Sequence, residues 1–319
     1  MRILVTGGAG FIGRHVVRLL GKKHEVVVQD CFEPVVHGPA PDTMVDGARL
    51  VFLNRIENYE ATLECCRGCD VVIHLAAGVS VSESAKDPAR FVLANSYATA
   101  VLMQAIVAAG GVQHIIVASS MSVYGEGFET RGVREEHACR PASVYGMTKY
   151  DTEQLCRING EIYGIPVTAL RLFNTYGPGQ SLTNAETGVV AIFASRLLAG
   201  EQPVIYEDGL QIRDFIHVSD VAAAIEAALF FRPKAAINIG TGIPLPVQAV
   251  ANMLSMHLVD GKITPRYTGE KRPGDIRHCF ADHTLAKYLL GWVPKIHPNA
   301  GIASYAQDLL RQQGKGHAT

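Results

Sequence analysis

The stretch "RILVTGGAGFIGRHVV", residues 2 to 17, restricts the chain more than any other. An Ile-Leu-Val run ends in glycine and gives way at once to apolar residues at helical spacing, so a buried strand turns directly into a helix. Gly7, Gly10 and Gly13 stand three apart in that turn. Gly7 permits a tight reversal, Gly10 admits a close approach to the backbone, and Gly13 lets the helix lie against the strand. The unpaired N–H groups at the start of such a helix suit a pyrophosphate. A purely steric strand–turn–helix is the other use of such a loop.

The end of the next strand bears on that choice. "EVVVQD" (25–30) closes on Asp30, where a carboxylate takes the ribose hydroxyls of an adenosine and disfavours a 2′-phosphate. Cys31 and Phe32 offer no arginine to such a phosphate, although Arg14 stands close by in the sequence. A dinucleotide site is therefore expected, with NAD preferred over NADP.

Further strands are expected at 69–77, 112–120 and 165–177, separated by helical candidates such as 87–110, which opens on Asp87-Pro88 and ends at Gly110-Gly111. Near-continuous apolar strands alternating with helices predict a Rossmann-type α/β fold, a doubly wound parallel sheet with ligands at the carboxyl ends of its strands. Pro and Gly cluster at 177–179, 242–246 and 273–274, which indicates a smaller C-terminal lobe for the substrate, while "AAINIGTG" (235–242) still reads as a sheet strand. The expected organisation is a cofactor domain of 1–173 that also receives 212–240, with 174–211 and 241–319 forming the second lobe.

Charge and cysteine content exclude several function classes. Lys and Arg number 29 against 30 acidic residues, so neither nucleic acid nor an anionic membrane is an expected partner. The apolar stretch 221–231 is short and carries Glu226, and no leader precedes the first strand, so a membrane span is not expected either. Seven scattered cysteines include a C-x-x-C within "CCRGC" (65–69), but no second pair follows at zinc spacing. They read as reduced thiols of a cytoplasmic protein, with no metal site.

A second signature lies in "YGMTK", where Tyr145 and Lys149 are four apart and share one helical face. A lysine held there is expected to draw the phenol from its ordinary value of about 10 toward working pH. The phenolate then takes the proton of an alcohol while hydride leaves the carbon. With the G-x-x-G-x-x-G loop, this pair resembles the extended short-chain dehydrogenase/reductase family. The ordered segments "TGGAGFIG", "DVVIHLAA", "SSMSVYG", "YGMTK", "LRLFNTYGPGQ", "GLQIRDFIHVSDVA", "NIGTG" and "RPGDIRHCFAD" are similar to nucleotide-sugar 4-epimerases of the UDP-galactose 4-epimerase type. "EPVVHG", "SLTNAETGVVAIFASRLLAG" and "EDGLQIRDFIHVSDV" resemble dTDP-L-rhamnose 4-epimerase-like members in particular.

The resemblance implies a role for each matching residue. Ser120, Tyr145 and Lys149 would be catalytic, Ser120 bonding the sugar 4-hydroxyl, with Ser119 and Ser122 as competitors and helix capping as another use of the cluster. NAD would be held by Gly7, Gly10, Phe11, Ile12, Gly13, Asp30, Leu75, Ala76, Ala77, Asn95, Tyr145 and Lys149. Asn54 stands where family members carry an adenine-binding Asp, and its carbonyl can still accept. The sugar nucleotide would meet Asn174, Tyr206, Arg213, Arg272, Asp275 and Cys279, Arg213 having an ion pair with Asp214 or Glu207 as its alternative use. Related 4,6-dehydratases carry Asp-Glu, and decarboxylating synthases a Glu, where this chain has Met121-Ser122. Without those acids, what remains is redox at C4: inversion of a dTDP- or UDP-hexose with NAD as resident cofactor. A 4-ketosugar reductase or dehydrogenase, or a non-catalytic nucleotide sensor, would use the same fold. The resemblance further implies a homodimer through helices near 88–109 and 145–163, to which Leu102, Ile106, Leu155 and Ile158 would contribute unless they are core.

Overall fold

Six strands come from the first 172 residues: β1 (Arg2–Thr6), β2 (Glu25–Asp30), β3 (Leu50–Leu53), β4 (Val71–His74), β5 (His114–Ser120) and β6 (Val167–Leu172). The chain then forms β7 (Asn174–Tyr176), β8 (Val204–Ile205) and β9 (Ile212–His217) of a second lobe before returning with β10 (Ala235–Ile239). In this computed structural model, which describes residues 1–38, 41–184, 188–272 and 274–316, the large sheet is wholly parallel in the order β10-β6-β5-β4-β1-β2-β3. Ala185, Glu186 and Thr187 of the 181–200 motif, Pro273 of "RPGD" and the last residues of the expected second lobe lie outside the described residues.

Both faces of the sheet are covered, which is why its strands need apolar residues at every position. Ile3, Val5, Val26, Val28 and Ile73 face one buried cluster, and Leu4, Val27 and Val72 face the other. β1 has β2 on one side and β4 on the other, so the strand order reverses there. That switch point opens a crevice at the carboxyl ends of the strands, beside the glycine turn.

Three segments differ from the sequence expectation. β3 is a half-exposed edge strand and so lacks the continuous apolar run that reveals an inner strand. The run 165–177 divides at Phe173, whose N–H bonds Ile239 O at 3.1 Å; β6 stays in the large sheet and β7 crosses to pair with β9. Segment 212–240 divides likewise: β9 belongs to the small sheet, and only from Val218 does the chain rejoin the large one, through the helix Val218–Phe231 and β10.

Pro88 to Ala109 runs as one helix with a π-helical turn at Val92–Tyr97. Its length and hydropathy would suffice for a membrane span, but half of it is buried in the fold, with Leu102, Met103 and Ile106 in the core beneath the sheet. Those positions are core, not a surplus for a partner.

The second lobe adds β11 (Pro244–Pro246), β12 (Arg266–Tyr267) and β13 (His278–Cys279). β9 lies between β11 and β13, with β7 on its flank, over a core that includes Phe193, Phe215, Leu254 and Ile302. Asp214 ties this lobe together. Its carboxylate accepts from Thr241 N (2.8 Å), Thr241 Oγ1 (2.6 Å), Gly242 N (2.8 Å) and Ala281 N (3.1 Å).

Candidate active site

The glycine loop has two tight contacts and one open one. Gly7 adopts φ +68°, and a Cβ there would stand 2.6 Å from Ala76 N. A Cβ on Gly13 would meet Gly7 O at 2.1 Å, so the helix Phe11–Leu20 rests directly on the turn. Gly10 is different: it has an extended conformation any residue adopts, and its Cβ would meet only Gly7 O, at 3.2 Å. The fold itself does not need glycine at 10, which leaves a cradle at the helix N-terminus where a pyrophosphate fits.

Beside it runs a cleft of about 590 Å³. Gly7, Gly10, Phe11, Ile12, Gly13, Asp30, Asn54, Leu75, Ala76 and Ala77 all line it. Asp30 closes β2 with both oxygens anchored, Oδ2 by Ala9 N (3.0 Å) and Oδ1 by Phe32 N (2.9 Å), with His37 Nε2 at 3.6 Å. That fixes the carboxylate toward the space where ribose hydroxyls would lie. Asn54 Oδ1 already accepts from Gln29 Nε2 at 2.6 Å, which leaves one lone pair for an adenine amino group. The far wall, formed by Gly179, Gln180, Ser181, Asn184 and Gly188, was not legible in the sequence. It is joined to the first helix by His15 Nε2 and Pro178 O at 2.8 Å, a contact 163 positions apart.

Asn95 lies behind the cleft wall. Its Oδ1 accepts from Gly78 N (2.7 Å), and its Nδ2 donates to Gly78 O (3.1 Å) and Thr148 Oγ1 (2.9 Å). It sits in the π-helical turn, a distortion that often re-aims a side chain at a functional site. His74 supports the same wall. Thr99 gives its proton to Asn95 O (2.6 Å), so it accepts from His74 Nε2 (3.0 Å), and Nδ1 accepts from Thr6 Oγ1 (2.7 Å). Burial, with the charge of Lys149 beside it, pulls His74 down to about 3 and keeps it neutral.

Ser120 ends β5 and Tyr145 opens the helix Val144–Tyr163, which Ser143 caps by accepting from Gly146 N at 3.1 Å. The fold brings Ser120 beside the Tyr145 phenol, where it favours the ionised form. Ser120 also caps the turn that follows, accepting from Ser122 N at 3.2 Å. Ser119 is committed elsewhere, donating to Glu153. Lys149 sits one turn on, nearly out of water. The expected depression of Tyr145 by Lys149 is not what the environment produces. Burial pushes the phenol above its ordinary value, opposed by Ser120 beside it, and burial pulls Lys149 down to about 8. Desolvation outweighs the pairing in the protein alone.

In the second lobe, Arg213, Arg272, Asp275 and Tyr206 assemble as one cluster. Arg213 pairs with neither Asp214 nor Glu207. Its Nη2 donates to Asp275 Oδ1 (2.9 Å) and Ile276 O (2.6 Å), and its Nη1 to Ile212 O (2.9 Å) and Arg277 O (3.3 Å). Arg213 thus spends its Nη protons inside the protein and offers a phosphate its charge and Nε–H. Arg272 is the more exposed cation, held by Asp275 at 3.0 Å and stacked on the Tyr206 ring at 4.5 Å. Among the described residues, Asn174 Oδ1 is buried without a protein partner, as is Gln180 Oε1 in the cleft wall. Cys279 is wholly buried with Val123, Tyr124 and Phe173, and burial pushes its thiol up to about 12.

The comparisons with known proteins agree with this geometry. A family model described as the NAD dependent epimerase/dehydratase family matches residues 3–240. The dTDP-L-rhamnose 4-epimerase of Burkholderia thailandensis is 36% identical, over 98% of this chain and 96% of its own length. Among solved structures, the UDP-glucose 4-epimerase of Thermotoga maritima with UDP-glucose matches at a TM-score of 0.89 and 34% identity, over 98% of this chain and 100% of that one. The Thermus thermophilus UDP-glucose 4-epimerase in complex with NAD matches at 0.86 and 31%, over 96% and 98%.

Proposed function

Since the chain belongs to the NAD-dependent epimerase/dehydratase family, we propose that it inverts C4 of a dTDP- or UDP-activated hexose through a 4-keto intermediate. The observation that carries this reading is the meeting of Ser120, at the end of its strand, with Tyr145, one helical turn from the buried Lys149. NAD, when bound, would supply the hydride acceptor for C4 and a positive charge in the site. The glycine turn and Asp30 would hold it, with Lys149 bonding the nicotinamide ribose. Tyr145 takes the proton of the 4-hydroxyl and later returns it, and Ser120 orients that hydroxyl. Arg272 and the charge of Arg213 hold the diphosphate, Tyr206 lines the base and Asp275 the ribose, so the nucleotide stays fixed while the keto sugar turns. Met121 and Ser122 offer no acid or base for elimination, which leaves redox at C4 as the available chemistry.

Incubation with a panel of dTDP- and UDP-hexoses, without added reductant, tests the reading. NMR is expected to show a C4 epimer with no net NADH. NADH accumulating without an epimer would replace it with a dehydrogenase.

The active form is a homodimer in this proposal. Val92, Leu93 and Ile158 are 45–50% exposed and Ile162 is 67% exposed, on the two helices expected to meet their copies. Light scattering should give a dimer, and Leu93→Asp with Ile162→Asp should shift it to monomer; a wild-type monomer at micromolar concentration would end the proposal. All seven cysteines are free thiols, which suits a reducing compartment such as the cytoplasm.

A further inference from the structure

Ser119 precedes the serine that faces Tyr145, yet its own hydroxyl donates to Glu153 Oε2 at 2.8 Å inside the protein. Glu153 follows Lys149 by four residues and Tyr145 by eight, so the three side chains share one helical face. Arg171 of β6 grips the same carboxylate through Nε at 3.1 Å and Nη2 at 2.6 Å, with both side chains at most 6% exposed. Its Nη1 continues to the Tyr124 hydroxyl (2.9 Å) and the Glu135 carbonyl (3.2 Å), and Tyr124 donates to Asn238 Oδ1 of β10 (2.6 Å). One polar chain therefore links three neighbouring strands to the helix that carries Tyr145 and Lys149.

A buried ion pair adds little net stability, because desolvating both charges offsets their attraction. Its geometry is the more informative property. We infer that Glu153, braced by Arg171 and Ser119, is a positioning residue: it sets the register of the Tyr145–Lys149 face against the strand end that carries Ser120. The inference rests on the reading of Tyr145 as the group that transfers the proton.

The charged and titratable groups around this face are few. Lys149 faces Glu153 and Cys156 on its own helix and His74 on β4. Glu153 faces Arg171 on β6, Ser119 on β5 and Cys139 from the preceding loop. Without the brace, the β5 end loosens and Ser120 draws away from the Tyr145 phenol, whose ionised form it favours. That change disfavours the phenolate, so Tyr145 should ionise at higher pH.

Three variants test this: Ser119→Ala, Glu153→Gln, and the double Glu153→Met/Arg171→Leu. The first and third leave no buried charge unpaired, which guards against simple misfolding. Tyrosinate absorbance of the cofactor-free protein, differenced against Tyr145→Phe, isolates the one ionisation. The double variant is expected to raise that midpoint by about one pH unit, a shift in the ordinary range for a weakened contact that favours the charged form. On a sugar nucleotide that the wild type inverts, kcat should fall about tenfold with KM unchanged, as for an interaction used only in the transition state. Folded Ser119→Ala and double variants with the wild-type midpoint and pH profile would overturn the inference. The titration needs no substrate, so it decides the matter even if the wild type inverts no sugar tested, a result that would remove the epimerase reading alone.

Discussion

Tyr145→Phe is expected to slow C4 inversion by about 10²–10⁴-fold, roughly 3–5 kcal/mol of barrier, while the protein folds and retains NAD. The substitution removes one oxygen and keeps the ring, so the packing at the start of the helix survives. Ser120 still accepts from Ser122 N and keeps a partner (3.2 Å), and Tyr145 N still donates to Ser84 Oγ (3.0 Å). Lys149 loses the neighbour whose phenolate it would stabilise but gains no new contact. Only the proton transfer is lost. Turnover by NMR and NAD released on denaturation measure the two halves separately. A Phe variant within tenfold of wild-type turnover would mean that some other group carries the proton.

That prediction uses the part of the site that short-range sequence spacing makes visible. Tyr145 and Lys149 are one helical turn apart, and Gly7 to Asp30 spans one strand–turn–helix–strand unit, so spacing alone brings these groups near one another. Groups that meet across long separations left no such trace. Nothing in the spacing of Glu153 and Arg171, 18 residues apart, shows that the fold buries them together, and Asp214 stands in the sequence as a candidate partner for Arg213 rather than as the acceptor that pins Thr241, Gly242 and Ala281. Arg213 instead turns to Asp275, 62 residues on. The state of Tyr145 was illegible for a different reason. Sequence shows the lysine four residues away but not the depth of burial, and burial is the larger effect here.

Gly10→Ala and Gly13→Ala separate a cofactor cradle from a structural turn, because the two glycines are glycine for different reasons. At 13 a methyl would stand 2.1 Å from Gly7 O and 2.7 Å from Gly8 Cα, so the helix must lift off the loop. Overpacking of that kind costs about 1–3 kcal/mol, and the denaturation midpoint should fall together with bound NAD. At 10 the only neighbour of a methyl among the described residues is Gly7 O at 3.2 Å, and a few tenths of an ångström relieve the contact. Stability should then stay within about 0.5 kcal/mol of wild type. Retained NAD should nonetheless drop by about 10–100-fold, the equivalent of 1.4–3 kcal/mol, since the methyl occupies the space where the pyrophosphate meets the helix N-terminus. Urea melts alongside NAD content after gel filtration measure both effects. A stable Gly10→Ala protein with wild-type NAD content would show that the middle glycine of the loop faces no ligand, and the cofactor would have to lie elsewhere in the cleft.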